Sequence, residues 1–361
     1  ISDEQYERFP PIRWPVTDSA PEGTARLFAN GGYTTLESRA RFLPITAKEP
    51  RQQPDDTQCV LNTGRLRDQW HTMTRTGRAA RLWQHRQEPF VEISPSDAQR
   101  QGLENSMLVR VQHRTQGETL VRVRVEPGQR DGELFAPMHW TEQFSSNGRV
   151  NQLIESVTDP FSGQPELKQG RVSLKPVAAD TEYAYLLTDR PIERSELNQL
   201  TYWSHSLIDQ GHLYALAAPN GKINWQALFY RATEQEPKLI AKGRNASTLR
   251  AATLLNQRLT GFLYLSKTHQ PPELSWVSSK IGTTLATADR QRLLSLKAPS
   301  GVDTGRVICS CFQVRDSQLK EAGAKTLKDL QKQLRCGTNC GSCIPELKAF
   351  LPTNLALEAG Q

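Results

Sequence analysis

Four cysteines in this sequence have the type and spacing of a metal–thiolate site. Cys309 and Cys311 form a C-x-C pair, and Cys340 and Cys343 form a C-x-x-C pair after 28 intervening residues. Four thiolates suit a 2Fe–2S cluster, and they suit a tetrahedral zinc ion as well. Free thiols are the remaining interpretation. Iron analysis and the visible absorption of an oxidised cluster separate these alternatives.

The distribution of the cysteines indicates the compartment. The chain has 6 cysteines in 361 residues, and five of them lie between Cys309 and Cys343. A disulfide scaffold spreads its cysteines through a small secreted domain, whereas a cluster in a large chain favours a metal site in a reducing compartment. We therefore expect a cytoplasmic protein. No apolar run approaches the roughly 18 residues that cross a bilayer, and the start at Ile1 has no signal-peptide pattern.

Short helices are predicted to position the four thiols. Residues 318–322 and Leu327–Leu334 have helical spacing, and the second cysteine pair opens a third helix. Unpaired N–H groups at a helix start lower the pKa of a thiol and stabilise an anionic cluster. Gly337 and Gly341 allow backbone amides to approach sulfur. The predicted helices and the spacing of the cysteines therefore both indicate a single site.

An arginine-rich segment offers a second site, for an anion. Between Thr63 and Arg86 there are six arginines, no lysine and a single acid, Asp68. Guanidinium groups bind phosphate oxygens bidentately, and Trp70 offers a flat face to a heterocycle. Gly64 follows a predicted strand and allows a tight turn close to phosphate. These groups suit a pyrophosphate-linked nucleotide, but single-stranded nucleic acid or a solvated basic face would fit them too.

Two further regions surround these sites. Six short alternating or apolar runs predict a β-sandwich or barrel, at 59–63, 90–93, 107–111, 120–125, 134–138 and 172–177. A short helix among them starts at Ser94 or Ser96 and ends at Gly102. From Glu182 to about Pro299 an α+β module is predicted, with strands at 183–187, 213–217 and 262–265 and helices at 193–208, 247–259 and 285–296.

The cysteine segment resembles a family of iron–sulfur domains. Residues 307–311 together with 336–343 are similar to the bacterioferritin-associated ferredoxin-like module. The resemblance implies a small helical domain that binds a 2Fe–2S cluster. Its implied ligands are Cys309, Cys311, Cys340 and Cys343. Cys336 departs from the family pattern, where a small residue is usual, so it is a spare thiol or replaces Cys340 if the loop folds differently.

The arginine-rich segment is similar to the signature of the molybdopterin dinucleotide-binding domain of bacterial molybdoenzymes. The motif is T-G-R-x-x-x-x-W-H-T at 63–72, with further agreement at 95–98, 150–153, 159–160 and 168. The resemblance implies a β-barrel of the double-psi type that grips bis-molybdopterin guanine dinucleotide. Its implied contacts are Thr63, Gly64, Arg65, Trp70, His71, Thr72, Asn151 and Lys168.

The two modules together resemble the catalytic subunit of bacterial assimilatory nitrate reductase. We expect a mixed β and α+β architecture: the end of a preceding molybdopterin oxidoreductase domain and a linker at 1–55, the barrel at 56–178, an α+β module of unknown role at 180–300, and the 2Fe–2S domain at 305–353. The resemblance implies reduction of nitrate to nitrite at molybdenum. It also implies electrons from an NAD(P)H-dependent flavoprotein, or from ferredoxin or flavodoxin.

Other functions stay open at this stage. The family's molybdenum-ligating residue and 4Fe–4S cysteines have no match here, so the chain alone is not expected to reduce nitrate, and no catalytic residue is assigned. The rivals are another molybdopterin oxidoreductase such as a formate dehydrogenase, a zinc-bearing nucleic-acid-binding protein, and an isolated electron-transfer module. We expect neither a membrane nor a nucleic acid as partner. Arg81 and Arg86 could also draw nitrate toward the cofactor.

Overall fold

The computed structural model describes residues 2–44, 46, 58–243 and 247–352, and it separates into two compact units. The first unit, residues 1–51, contains one helix, α1 (Asp3–Glu7). Ser2 caps this helix, because its hydroxyl accepts from the Gln5 N–H while the Gln5 side chain accepts from the Ser2 N–H. The other described residues of this unit form turns and short bridges.

The second unit contains a closed six-stranded barrel. Its strands are β1 (Cys59–Gly64), β2 (Phe90–Ile93), β3 (Leu108–His113), β4 (Glu118–Val125), β5 (Glu133–Pro137) and β6 (Gly170–Pro176). They close in the order β1-β5-β2-β4-β3-β6 around a core of alternating apolar residues. All six predicted strands are confirmed to within two residues. The expected mixed β and α+β architecture with a barrel is also confirmed.

The pairing inside the barrel decides where its loops lie. Strands β1 and β5 are parallel, with Gly64 opposite Pro137. Their carboxyl ends therefore meet at one edge, and the loops that follow leave the barrel side by side. Two helices belong to this part, α2 (Ala80–Trp83) and α3 (Pro95–Arg100). Ser94 caps α3 as predicted, since its hydroxyl accepts from the Asp97 N–H at 3.2 Å.

A six-stranded antiparallel sheet follows the barrel. It comprises β7 (Thr181–Thr188), β8 (Tyr202–Ile208), β9 (Gly211–Pro219), β10 (Leu239–Lys242), β11 (Thr248–Leu255) and β12 (Arg258–Ser266), in the order β10-β11-β12-β7-β9-β8. The helices of this part are α4 (Arg194–Leu197), α5 (Trp225–Thr233), α6 (Ser275–Lys280) and α7 (Thr287–Ser295). One face packs on α5, and the core of the other face includes Leu108 and Leu120 of the barrel.

Two predicted helices in this region are wrong. Residues 193–208 contain only the four-residue α4 before β8 begins, and 247–259 contain β11. The apolar spacing in both segments fits a helix, but β11 is paired on both sides by β10 and β12, and β8 is paired with β9. Tertiary pairing overrides local propensity here. The third predicted helix, 285–296, is confirmed as α7.

The last described part is a small domain that carries the cysteine cluster. A hairpin of β13 (Val307–Cys309) and β14 (Val314–Arg315) precedes α8 (Asp316–Glu321), α9 (Leu327–Leu334) and α10 (Ile344–Lys348). The three predicted helices are confirmed, and the hairpin is an addition. The core of this small domain includes Ile308, Leu319, Leu330 and Leu347. No helix in the described ranges is long and apolar enough to cross a membrane.

Candidate functional site

The four predicted cluster cysteines converge as two pairs. Cys311 Sγ lies 3.5 Å from Cys340 Sγ near the surface. Cys309 and Cys343 share a hydrogen bond beneath them, and each is only 2% exposed. Among the described residues, no group of three or more His, Cys, Asp or Glu side chains is placed to hold one metal ion. Four thiols in two pairs match the donor set of a binuclear iron–sulfur cluster.

Tight turns bring the second pair to the first. Gly337 has a φ of +73°, and a Cβ there would meet Ile344 Cγ1 at 3.1 Å, so the left-handed turn and the close packing both need glycine. The Gly337 amide donates to the Cys343 sulfur, as the sequence predicted for this glycine. Burial and the neighbouring Cys309 nevertheless raise the pKa of Cys343 to about 12. Iron must therefore displace a proton from this thiol when it binds.

The outer pair is supplied with hydrogen-bond donors. Asn339 Nδ2 donates to Cys311 Sγ at 3.4 Å, and the Ser342 hydroxyl lies 3.0 Å from Cys340 Sγ. The hydroxyl and the amide of Ser342 lower the pKa of Cys340. Donors of this kind stabilise thiolates and tune the potential of a cluster. The residues present thus fit the cluster that the resemblance implies.

Cys336 occupies a different place from the other four thiols of the small domain. It is fully buried in the core, its thiol donates to the Leu330 carbonyl at 3.6 Å, and burial raises its pKa. Cys340 instead lies beside Cys311. The arrangement therefore favours Cys340 over Cys336 as the fourth ligand.

Residues 65–72, called the clamp loop below, leave the barrel at the end of β1. Thr63, just before the loop, is buried; its hydroxyl donates to the Leu167 carbonyl at 2.9 Å, and its own carbonyl accepts from the Lys168 ammonium. Two of the predicted contact residues, far apart in sequence, are thus brought together. At Gly64 an added Cβ would lie 2.6 Å from the Phe135 ring. Close packing of that ring therefore requires glycine here.

The remaining predicted contacts of the loop face outward. Arg65, Trp70, His71 and Thr72 are all exposed. The Arg65 guanidinium lies 4.6 Å from the centre of the Trp70 ring, so a cation and a flat face stand together. His71 has a φ of +43°, which is uncommon outside glycine. Asn151 is exposed on the 3₁₀ helix Val150–Leu153, which packs against β4 and β6.

One residue that holds the clamp loop had no role assigned from sequence. His139 is fully buried just after β5; its Nε2 accepts from the Leu66 N–H at 2.7 Å, and its Nδ1 lies 2.6 Å from the His71 carbonyl. The ring therefore carries its proton on Nδ1 and joins both ends of the loop. Burial lowers the pKa of His139. Only the parallel pairing of β1 with β5 places His139 beside the clamp loop, and no pattern in the sequence indicated that pairing.

Replacing His139 by alanine is expected to loosen the clamp loop. The change leaves the Leu66 N–H and the His71 carbonyl without partners, which costs about 1–3 kcal/mol for each group that stays buried. We expect the guanine nucleotide bound per molecule of full-length protein to fall several-fold, measured as GMP released by acid. His139→Gln, which retains a donor and an acceptor, should lose less, and His269→Ala should lose nothing. Equal nucleotide content in all three variants would contradict this role.

The clamp loop also contacts the cluster domain through charged side chains. His85 Nε2 is hydrogen bonded to Glu346 Oε1 at 3.1 Å, and His85 Nδ1 lies 3.1 Å from Asp68 Oδ2. Arg67 lies 3.4 Å from Asp68 and 3.5 Å from Glu346. The Ser310 hydroxyl donates to Asp68 at 3.4 Å. We call Arg67, Asp68, His85 and Glu346 the docking network.

The docking network links the two cofactor sites through a single segment. Arg65 and Trp70 are exposed, whereas Arg67 and Asp68, on the same loop, face the cysteine domain. Arg67 is close enough to Cys343 to lower its pKa against the effect of burial. The clamp loop therefore lies beside both cysteine pairs, because Arg67 acts on Cys343 and Asp68 acts on Cys340, while Cys340 is also exposed.

Arg81 and Arg86 do not share one environment. Arg81 is exposed on α2, whereas Arg86 lines a cavity to which no described residue of the clamp loop contributes. The positions of these two side chains therefore do not support the hypothesis that they attract nitrate toward the cofactor.

Comparisons with known proteins agree with the two sites. Residues 59–171 match the molybdopterin dinucleotide binding domain, and residues 307–352 match the BFD-like [2Fe-2S] binding domain. The chain therefore contains a domain that matches molybdopterin dinucleotide binding domains and a domain that matches BFD-like [2Fe-2S] binding domains.

Individual proteins that resemble this chain include nitrate reductases and a formate dehydrogenase subunit. The chain is 36% identical to a nitrate reductase of Klebsiella oxytoca over 99% of its own length and 26% identical to one of Shewanella frigidimarina over 96%. It is 32% identical to an F420-dependent formate dehydrogenase subunit alpha of Methanocaldococcus jannaschii over 45% of its length. The chain spans about 40% of each of these two nitrate reductases. Similarity over nearly the whole chain is thus to nitrate reductases.

Proposed function

We propose that the chain is part of a molybdenum-dependent assimilatory nitrate reductase, in which it binds bis-molybdopterin guanine dinucleotide and receives electrons at a 2Fe–2S cluster. The observation that carries this proposal is the position of the two cysteine pairs. Cys340 of the outer pair is exposed, whereas the inner pair is buried and lies close to Arg67, on the segment that also presents Arg65 and Trp70. A cluster held by these cysteines would be accessible at Cys340 and adjacent to the segment that contacts the dinucleotide, as electron entry and onward transfer require.

The residues of the chain have separate parts in this function. When bound, the cluster carries single electrons and the molybdenum centre supplies the oxygen-atom transfer that converts nitrate to nitrite. Cys309, Cys311, Cys340 and Cys343 would hold the cluster. Thr63 and Lys168 fix the start of the clamp loop, while Arg65 and Trp70 present a cation and a ring to the dinucleotide. His139 keeps both ends of the loop in place.

We infer that the electron donor is an acidic protein that docks on the cluster domain. Arg335, an exposed side chain, places its guanidinium 4.8 Å from the centre of the Phe312 ring, next to Cys311. Exposed lysines extend the positive charge over the same domain, at Lys320, Lys325, Lys328, Lys332 and Lys348. A positive surface around an exposed cluster edge speeds encounter with an acidic partner. Ferredoxin, flavodoxin or an NAD(P)H-dependent flavoprotein would suit this surface.

We place the protein in the cytoplasm, because five of its six cysteines are clustered in one small domain, which is typical of a metal site in a reducing compartment. The zinc-based alternative predicts zinc rather than iron on elemental analysis. The formate dehydrogenase alternative draws on similarity that covers less than half of the chain, and no more specific observation favours it.

The function is tested with the full-length protein purified without oxygen. We expect iron, sulfide, molybdenum and guanine nucleotide in the same preparation, and nitrite formation from nitrate with reduced viologen as donor. Formate should not reduce the viologen. Formate oxidation without nitrate reduction would contradict the proposal, and so would zinc in place of the cluster iron.

A further inference from the structure

A cavity of about 650 Å³ lies where the barrel, the six-stranded sheet and the cluster domain meet. Arg86 and Arg124 line it from the barrel, Ser275 lines it from the sheet region, and Arg306 lines it from the segment before β13. The volume is in the range of pockets that hold metabolites and cofactors, and it far exceeds the volume of a single small anion. Neither domain match extends to all three walls of this cavity.

Several polar atoms in the wall of this cavity lack protein partners. Gln84 Oε1, Arg86 Nε and Ser275 Oγ are buried and make no hydrogen bond within the described part of the chain. Buried polar groups in folded proteins are almost always paired, so these three atoms keep unused hydrogen-bonding capacity in the cavity wall. The set contains one acceptor on Gln84 and two donors. A ligand with both anionic oxygens and a donor group would satisfy it.

Positive charge is concentrated at one end of the cavity. Burial, together with Arg124 and Arg306, lowers the pKa of Arg86 to about 10. Arg86 and Arg124 lie 5.8 and 5.7 Å from the centre of the same Phe90 ring, so their charges are close. Arg124 is paired with Glu92 at 3.0 Å, whereas Arg86 donates to the His85 carbonyl at 2.8 Å. An anion between these guanidinium groups would relieve their repulsion.

The acids of the cavity wall are not placed to neutralise Arg86. Glu88 is engaged by Arg122 at 2.9 Å and by the Tyr202 hydroxyl at 2.8 Å. Glu273 accepts from the Ser275 N–H at 2.6 Å, and it is exposed. Asp209 is exposed as well. Glu92 and Glu346 lie outside the cavity lining, and their effect on the pKa of Arg86 is smaller than the opposing effect of Arg124 and Arg306, so the end formed by Arg86 and Arg306 keeps positive charge for an anion.

We propose that this cavity binds a phosphorylated metabolite of nucleotide size, with its phosphate held by Arg86 and Arg306 and its remainder contacted by Gln84 and Ser275. Guanidinium groups recognise phosphate bidentately, which suits them to this role. Because Arg306 leads directly into the cluster domain, the bound molecule would join that domain to the barrel. Its binding would therefore favour the docked position of the cluster.

The test is equilibrium binding by calorimetry to the full-length protein and three variants. The probes are AMP, ADP, inorganic phosphate and the uncharged adenosine. Arg86→Gln and Arg306→Gln remove the proposed contacts, and Arg306 is exposed, so its replacement should not disturb folding. Arg130→Gln is the control, because this arginine is highly exposed on the barrel and is not in the cavity wall.

We expect saturable binding of AMP or ADP that is tighter than that of phosphate, with no binding of adenosine. Affinity should fall about tenfold or more in Arg86→Gln and Arg306→Gln, as for a lost charge-assisted contact, and should be unchanged in Arg130→Gln. Three results would overturn the proposal: no saturable nucleotide binding up to about 10 mM, affinity that Arg306→Gln leaves unchanged, or phosphate binding as tight as that of the nucleotides.

Discussion

Replacing Cys343 by serine is expected to remove the 2Fe–2S cluster, whereas replacing Cys336 by serine is expected to leave it in place. The two residues form a matched pair, because both are buried cysteines of the same small domain. Cys343 shares a hydrogen bond with Cys309 in the inner pair, while Cys336 donates to the Leu330 carbonyl. A serine hydroxyl can donate to that carbonyl as well, so Cys336→Ser should fold.

The expected difference is large and can be measured without activity. Full-length Cys343→Ser should lose two irons and two sulfides per molecule relative to the unchanged protein, together with the visible absorption of the cluster. Removing a residue that hydrogen bonds to a metal ligand already weakens a metal site roughly ten- to a hundredfold, so loss of a ligand should exceed that. If Cys336→Ser loses the cluster and Cys343→Ser keeps it, the proposed ligand set is wrong.

Replacing Glu346 by glutamine is expected to release the cluster domain from the barrel more often. The change removes the carboxylate that faces both His85 and Arg67, at 3.1 and 3.5 Å. Breaking a buried ion pair costs about 3–5 kcal/mol, and the partial exposure of Glu346 reduces this to about 2 kcal/mol. The ratio of docked to undocked domain should then fall by roughly thirtyfold.

Hydrogen exchange separates this effect from a general loss of stability. Amides of α10 and of residues 297–306 should exchange faster in Glu346→Gln, while those of the barrel strands should not change. Glu321→Gln is the control, because it removes an equal charge from an exposed position of the same domain. Unchanged exchange in Glu346→Gln would show that the docking network does not hold the domain.

The pKa of Glu346 sets the pH range in which its carboxylate is charged and contributes to this contact. Although burial raises it, the pKa of Glu346 falls to about 2 because of the His85 hydrogen bond and the positive charge of Arg67. A lowered carboxyl pKa contributes stability that is complete above the unfolded value of about 4.3 and is lost as the pH falls toward 2. Glu346 therefore stays ionised at neutral pH, and its own titration should not change docking between pH 6 and 8.

The convergence of the cysteines in one small domain and the strands of the barrel could be predicted from sequence for a physical reason. Thiolate ligands must occur in local pairs, so Cys309-x-Cys311 and Cys340-x-x-Cys343 signal a site without any fold. Barrel strands alternate between core and surface, which is a pattern of period two that short windows detect. The strands of the barrel and the helices of the cluster domain were therefore found within a few residues.

The residues that connect the clamp loop to the rest of the molecule could not be predicted from sequence in the same way. His139 acts on the clamp loop only because β5 runs parallel to β1, and Glu346 meets His85 across 261 positions of sequence. Such contacts depend on docking of whole elements, which local patterns do not encode. The same limit explains β11, whose alanines and leucines favour a helix until two neighbouring strands pair with it.

The most direct test of electron transfer through the docked cluster is a single-turnover experiment. The full-length protein is reduced stoichiometrically without oxygen, nitrate is added, and reoxidation of the 2Fe–2S cluster is followed by its visible absorption. We expect reoxidation at least as fast as steady-state turnover with a donor that reduces this cluster, and slower reoxidation in Glu346→Gln. A cluster that stays reduced while nitrite forms would contradict this expectation.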